Sequence, residues 1–277
     1  MNNILSLEFF RLKRSKLFWA LFGVCAGLPL VSMLLTAVLV FLSSLLIEES
    51  LAWGDIWLAL RQSNMTGSLL SSLPSVTGDC AVFALICSSI FVSGEFKYGT
   101  YRNMLLANRS RLEIYFSYLI MAVTIGASYM TASFVTSLLF GGAIFGFGTV
   151  SALTAFTEVI TSFTMGLISV LFVQSMMCMF LFVTRKLSVG LTCPLLICIL
   201  LPSVIMTIVQ VVTMLLTLGG NVVEADLSWI PIYNSTLLDL SGRVDGEMIG
   251  KILLYELPLT AFFVGMGWVG FRKADLK

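Results

Sequence analysis

From Leu17 to Ile47 the chain runs 31 residues without one charged side chain. In water, a helix of that composition would leave much apolar surface exposed. About 20 apolar residues are enough to cross the hydrocarbon core of a bilayer, so the run predicts a membrane span. It does not read as a removable signal peptide, whose apolar stretch is only about 7–15 residues long. Similar runs recur to the end of the chain, including 44 uncharged residues from Ile114 to Thr157. The composition agrees: 11% of residues are charged, against about 25% in soluble domains.

Reading the runs in order predicts an all-α membrane protein, residues 1–277 forming one transmembrane domain. Six transmembrane helices are expected at 17–47, 74–94, 114–140, 159–184, 187–218 and 252–271. A Gly-rich turn containing Gly141, Gly142, Gly146 and Gly148 divides the third from the fourth. Residues 1–16 and the 95–113 loop lie on one side, and outer loops 48–73 and 219–251 on the other. The outer loops are too short for a core of their own. Their Trp53, Trp57, Trp229 and Tyr233 suit the headgroup level.

Charge tests this count. With both ends on the inner side, 13 of the 16 Lys and Arg residues are cytoplasmic. Four of the 15 acidic residues (Glu8, Glu95, Glu113 and Asp275) join them, so the inner face carries +9 and the outer face −8. Lys/Arg bias is what orients membrane proteins, and an extra span between Arg111 and Arg185 would destroy it.

The chain has no histidine, which excludes His-ligated metals, His-dependent triads and His proton relays. The six cysteines sit in apolar runs without CxxC spacing and read as small buried hydrophobes. No GxxxxGK[ST] loop is present to cradle ATP phosphates, and no soluble basic domain exists to bind nucleic acid. Pro29, Pro194, Pro202 and Pro258 fall within spans, where kinks are tolerated. Gln174 and Gln210 are expected to join helices by hydrogen bonds. Glu256, about one turn into the last span, is expected to be a solvated carboxylate, with an ion pair to Lys251 or Arg243 as the alternative.

The 95–113 loop is too apolar to be plainly solvated. Tyr98, Tyr101 and Leu105 share a helical face, while Lys97 and Thr100 lie elsewhere. Ser110 and Glu113 have capping-box spacing. The pattern predicts a short amphipathic helix at the membrane surface, a turn, and a new helix. By residues alone, the first reading is a basic interfacial helix that merely anchors the loop.

The run Gly94-Glu95-Phe96-x-x-Gly99-Thr100, then Leu105, then Ser110-Arg111, resembles the loop of type-2 ATP-binding-cassette exporter permeases. Leu7-Glu8-Phe9-Phe10-Arg11-Leu12-Lys13-Arg14-Ser15-Lys16-Leu17-Phe18-Trp19 and the tail Gly270-Phe271-Arg272-Lys273 are similar to that family's ends. The resemblance implies an interfacial elbow helix at about Asn3–Arg14 and a coupling helix that docks into a separate ATPase subunit. Its coupling residues would be Glu95, Phe96, Tyr98, Gly99, Thr100, Tyr101, Arg102, Leu105, Arg109 and Arg111. Gly99 would permit a backbone turn. Glu95 and Arg111 would form salt bridges to the ATPase or to the chain's own elbow. ATP and Mg would be bound by the ATPase and no cofactor by this chain, which would pair with a second permease as homodimer or heterodimer. Where relatives carry proline before the Ser-Arg, this chain has Asn108.

The resemblance implies a bacterial cytoplasmic-membrane exporter. The acidic outer face would attract cationic cargo, which suggests antimicrobial peptides or drugs. A secondary transporter would need midplane charges or paired half-helices, neither of which the sequence offers. A non-transporting sensor or scaffold remains the other alternative.

Overall fold

A computed structural model describes residues 2–46, 69–100, 104, 106, 110–141, 152–200, 204–205, 207–209, 211–212 and 246–273. Every regular element among them is helical. α1 (Asn2–Arg14) and α2 (Lys16–Leu46) are followed by α3 (Leu69–Tyr98) and α4 (Arg111–Thr136). Then come α5 (Ala152–Thr184), α6 (Leu187–Leu195) and α7 (Gly246–Lys273). α4 runs on into a π turn, Ser137–Gly141, and α6 into another, Leu196–Leu200. The second follows Pro194, whose missing N–H disturbs the regular ladder.

Among the described residues, four helical stretches have the length and composition to cross a membrane: Cys80–Tyr98, Arg111–Phe140, Val159–Thr184 and Leu253–Lys273. Leu5–Arg14 and Lys16–Val31 meet at 70° and would add a fifth if taken as one broken span. Leu187–Cys198 is apolar but shorter. The rest of the predicted fifth span, including Gln210, falls largely outside the described residues. The chain is therefore a multi-span α-helical protein. Three helices clearly outrun their expected spans: α3 begins at Leu69 and continues past Gly94 to Tyr98, α5 begins at Ala152, and α7 begins at Gly246.

α4 occupies the middle of the bundle, packed against α2, α3, α5 and α7. Its hydroxyls tie these neighbours together. Tyr129 Oη donates to the Phe18 carbonyl (3.0 Å) and Ser133 Oγ to the Cys25 carbonyl (2.8 Å), both on α2. Tyr115 Oη donates to the Val264 carbonyl of α7 (3.0 Å). Between α3 and α5, Ser88 Oγ donates to Gln174 Oε1 (2.7 Å). In lipid the hydrophobic effect does little to press helices together, so close packing and such bonds carry the association. The outward side of α2 is left bare at Val31, Leu34, Leu35, Val38 and Leu42. No disulfide joins the six cysteines, four of which are buried.

Glu256 corrects the sequence reading. It is fully buried, not solvated, and Ser169 Oγ of α5 donates to its Oε2 at 3.0 Å. α7 packs closely on α5, and that face of α7 carries the carboxylate inward. Burying a carboxylate is costly. Glu256→Gln keeps an acceptor for Ser169 and is expected to leave the thermal midpoint in detergent equal or higher. Glu256→Ala, which opens a cavity and orphans the Ser169 hydroxyl, should lower it. A large loss from Glu256→Gln would mean that the ionised carboxylate itself holds the helices.

Candidate functional site

α1 ends in Lys13 and Arg14, and Ser15 caps the next helix by accepting from the Phe18 N–H at 3.4 Å. This bend at Ser15 lays α1 across the bundle. Leu12 is buried and Phe9 packs on the core, while Leu7 and Phe10 stay exposed. The Arg14 guanidinium stacks 4.4 Å above the Phe10 ring.

The inward side of α1 carries charge. Glu8 is fully buried, and Glu95, in the last turn of α3, is 1% exposed. Arg11 bridges the two: it forms an ion pair with Glu95 and lies 3.5 Å from each oxygen of Glu8. Its guanidinium also sits 5.5 Å from the centre of the Phe91 ring. From α4, Tyr118 Oη donates to Glu95 Oε2 at 3.3 Å. Four side chains from three helices thus form one buried polar cluster.

Two carboxylates share one guanidinium, so they are not equally compensated. Burial, and then the Glu95 charge, push the Glu8 carboxyl from 4.5 up to about 7, against the opposing pull of Arg11. Burial would lower the Arg11 pKa, but Glu95 and then Glu8 outweigh it and hold the guanidinium above its ordinary value. Folded Glu8 therefore binds its proton more tightly than unfolded Glu8. Stability contributed by this group is full below pH 4.5 and declines as pH rises to about 7. Thermal midpoints across that window should fall with rising pH, and Glu8→Gln should flatten the slope. An unchanged slope in the variant would assign the pH dependence to another group.

Beyond Glu95, α3 finishes at Tyr98, and Gly99 takes φ 67°, a left-handed conformation favoured by glycine. Phe96 points inward, its ring 5.2 Å from Phe182 of α5 in an edge contact. Tyr98 points outward and is 76% exposed; Leu106 is 85% exposed. Thr100 is half-buried. Tyr101, Arg102, Leu105 and Arg109 lie outside the described residues. Ser110 then caps α4, its Oγ accepting from the Glu113 N–H at 3.2 Å. Arg111 donates to the Arg272 carbonyl at the end of α7 (2.6 Å).

The ten residues singled out in sequence therefore divide. Glu95, Phe96 and Arg111 make contacts within the chain, to α1, α5 and α7, whereas Tyr98 presents its ring outward. Sequence reasoning expected Glu95 to bridge to the ATPase or to the elbow region, and Arg11 of α1 is a partner of the second kind; it missed Glu8 and Tyr118 as further members of the cluster. The spacing of Glu8 and Arg11 marks a helical i,i+3 pair, but no local pattern shows that Glu8 and Tyr118 join Arg11 and Glu95 in one cluster. Among the described residues, no group of His, Cys, Asp and Glu is placed to hold a metal ion.

A family model described as "ABC-2 family transporter protein" matches residues 4–202, from α1 to just beyond α6. No curated protein matches the chain.

Proposed function

This chain belongs to the ABC-2 family of transporter proteins, and from that premise we propose that it is the permease subunit of an ATP-driven exporter. It would cross the bacterial cytoplasmic membrane six times with both termini inside. With no phosphate loop of its own, it would draw energy from a separate ATPase subunit that binds ATP and Mg. A second permease, identical or similar, would complete the pathway. α1 acts as the elbow and residues 95–113 as the coupling segment. Antimicrobial peptides or drugs are the proposed cargo, supported by the net −8 outer face.

The observation that carries this reading is the division at the end of α3. Glu95 is locked inward to Arg11 of α1, while three residues later Tyr98 stands exposed. A push on the exposed turn would pass through a buried ion pair to the elbow and through Phe96 to α5, moving several helices together. A loop that served only as an anchor would not need that linkage.

Affinity purification of the chain from native membranes in mild detergent should bring down a stoichiometric ATPase. Tyr98→Asp places a charge on the exposed ring position without touching the core. It is expected to cut ATPase co-purification about tenfold, as loss of an interface anchor does, while leaving the thermal midpoint within a degree or so. Absence of any ATPase from the wild-type preparation would move the reading to a sensor, scaffold or secondary transporter.

A further inference from the structure

We propose that the inner end of the bundle holds a groove for the headgroup of an anionic phospholipid, with Lys97 and Arg185 as its cationic clamp. A cavity of about 480 Å³ opens between the last turns of α3 and the α5–α6 link. That volume lies in the range of small-molecule sites. Among the described residues lining it are two cations, Lys97 and Arg185, and no carboxylate. The Ser93 hydroxyl also lines the cavity, its proton donated to the Ile90 carbonyl at 3.1 Å.

The remaining walls identify the ligand. Ile90 and Leu187 line the same cavity and are both exposed, on the sides of helices that continue toward the bilayer. A small soluble anion would have no use for them. A phospholipid would lay its glycerol and upper acyl segments along these side chains while its phosphate met the cations. Basic pockets between helices on the cytoplasmic side suit anionic headgroups, and that leaflet's surface is negative. Lys and Arg enrichment assigns this end of the chain to that side.

Two backbone features shape the groove. Arg185 adopts φ 57°, the left-handed conformation that glycine occupies at little cost. Its N–H donates to the Leu181 carbonyl at 2.8 Å, closing α5. Arg185 holds this conformation despite the backbone strain and lines the groove. Gly94 lines the cavity, and a Cβ built on it would meet nothing within 4 Å. A larger side chain there would occupy the space and leave both cations in place.

The groove shares Phe96 and Tyr98 with the proposed coupling turn, but the proposal needs only that the chain lies in a bilayer with this end at the anionic leaflet, and lipid retention by the chain alone tests it apart from the exporter reading. The test is native mass spectrometry of the full chain in detergent, titrated with phosphatidylglycerol or with phosphatidylcholine of the same acyl chains. Wild type should retain phosphatidylglycerol preferentially, and excess inorganic phosphate should not displace it. Lys97→Gln and Arg185→Gly should each weaken that binding about fivefold, and together roughly thirtyfold. Phosphatidylcholine retention should not change. Arg185→Gly suits the local backbone, so its loss of lipid is not a loss of fold. Gly94→Leu should also reduce phosphatidylglycerol binding with both charges intact. Equal retention of the two lipids by wild type, or an unchanged preference in the double variant, overturns the proposal. Displacement by inorganic phosphate would make the groove a soluble-anion site. Loss of a co-purifying ATPase from the double variant, with lipid preference intact, would assign the cations to that partner instead.

Discussion

Arg11→Met is expected to destabilise the protein by about 2–3 kcal/mol, a large effect for a side chain that is itself partly exposed. The reason lies in what the substitution leaves behind. Glu8 and Glu95 are both buried, and Arg11 is their shared countercharge. Removing one partner of a buried pair costs about 3–5 kcal/mol. The 39% exposure of the Arg11 side chain admits water and lowers that figure. Thermal melts in detergent read the loss directly. Adding Glu95→Gln to Arg11→Met should recover most of it, because the second change removes the orphaned charge and keeps an acceptor for Tyr118. Wild-type stability in the single variant would mean that the ion pair contributes nothing in the folded protein. Failure of the second change to rescue would place the loss in the packing of Arg11 on Phe91.

Gly267→Ala is expected to cost about 2–3 kcal/mol, at the upper end of the usual penalty for overpacking. Gly267 lies on α7 where that helix crosses α4 and α5. An added Cβ would strike Tyr115 Oη and come within 3.1 Å of the Met179 Cα. Tyr115 could swing aside only by giving up its bond to the Val264 carbonyl. Met179 is backbone, so relief there means parting two helices. Gly265→Ala is the matched control: a Cβ there meets nothing within 4 Å, and no loss is expected. Equal melts for the two variants would show that α7 does not approach α5 as closely as its glycine allows. Rescue of Gly267→Ala by Tyr115→Phe would trace the cost to the hydroxyl alone.

Local features were the readable ones. The turn at Gly99 and the Ser110 cap follow from backbone preferences spanning a few residues, and both stand where those preferences put them. Helix ends were less legible. α3 continues four residues past Gly94 because Glu95 and Phe96 find partners on α1 and α5 that keep the chain helical. Glu256 was misread for a related reason. Its place near the end of a hydropathy run suggested water, but which face of α7 turns toward α5 is a matter of packing.

The sequence by itself determined that the chain is helical and built to span a membrane, and its loop and termini pointed to the transporter family. It could do so because apolar length and backbone propensity are properties of contiguous residues, each satisfied within its own segment of a bilayer. Only the tertiary structure decided that Glu8, Arg11, Glu95 and Tyr118 form one cluster, and that Lys97 and Arg185 frame one groove. Those pairings depend on the rotation and crossing of helices far apart in the chain. Small residues such as Gly267 set these by letting backbones approach, and hydropathy carries no record of that geometry.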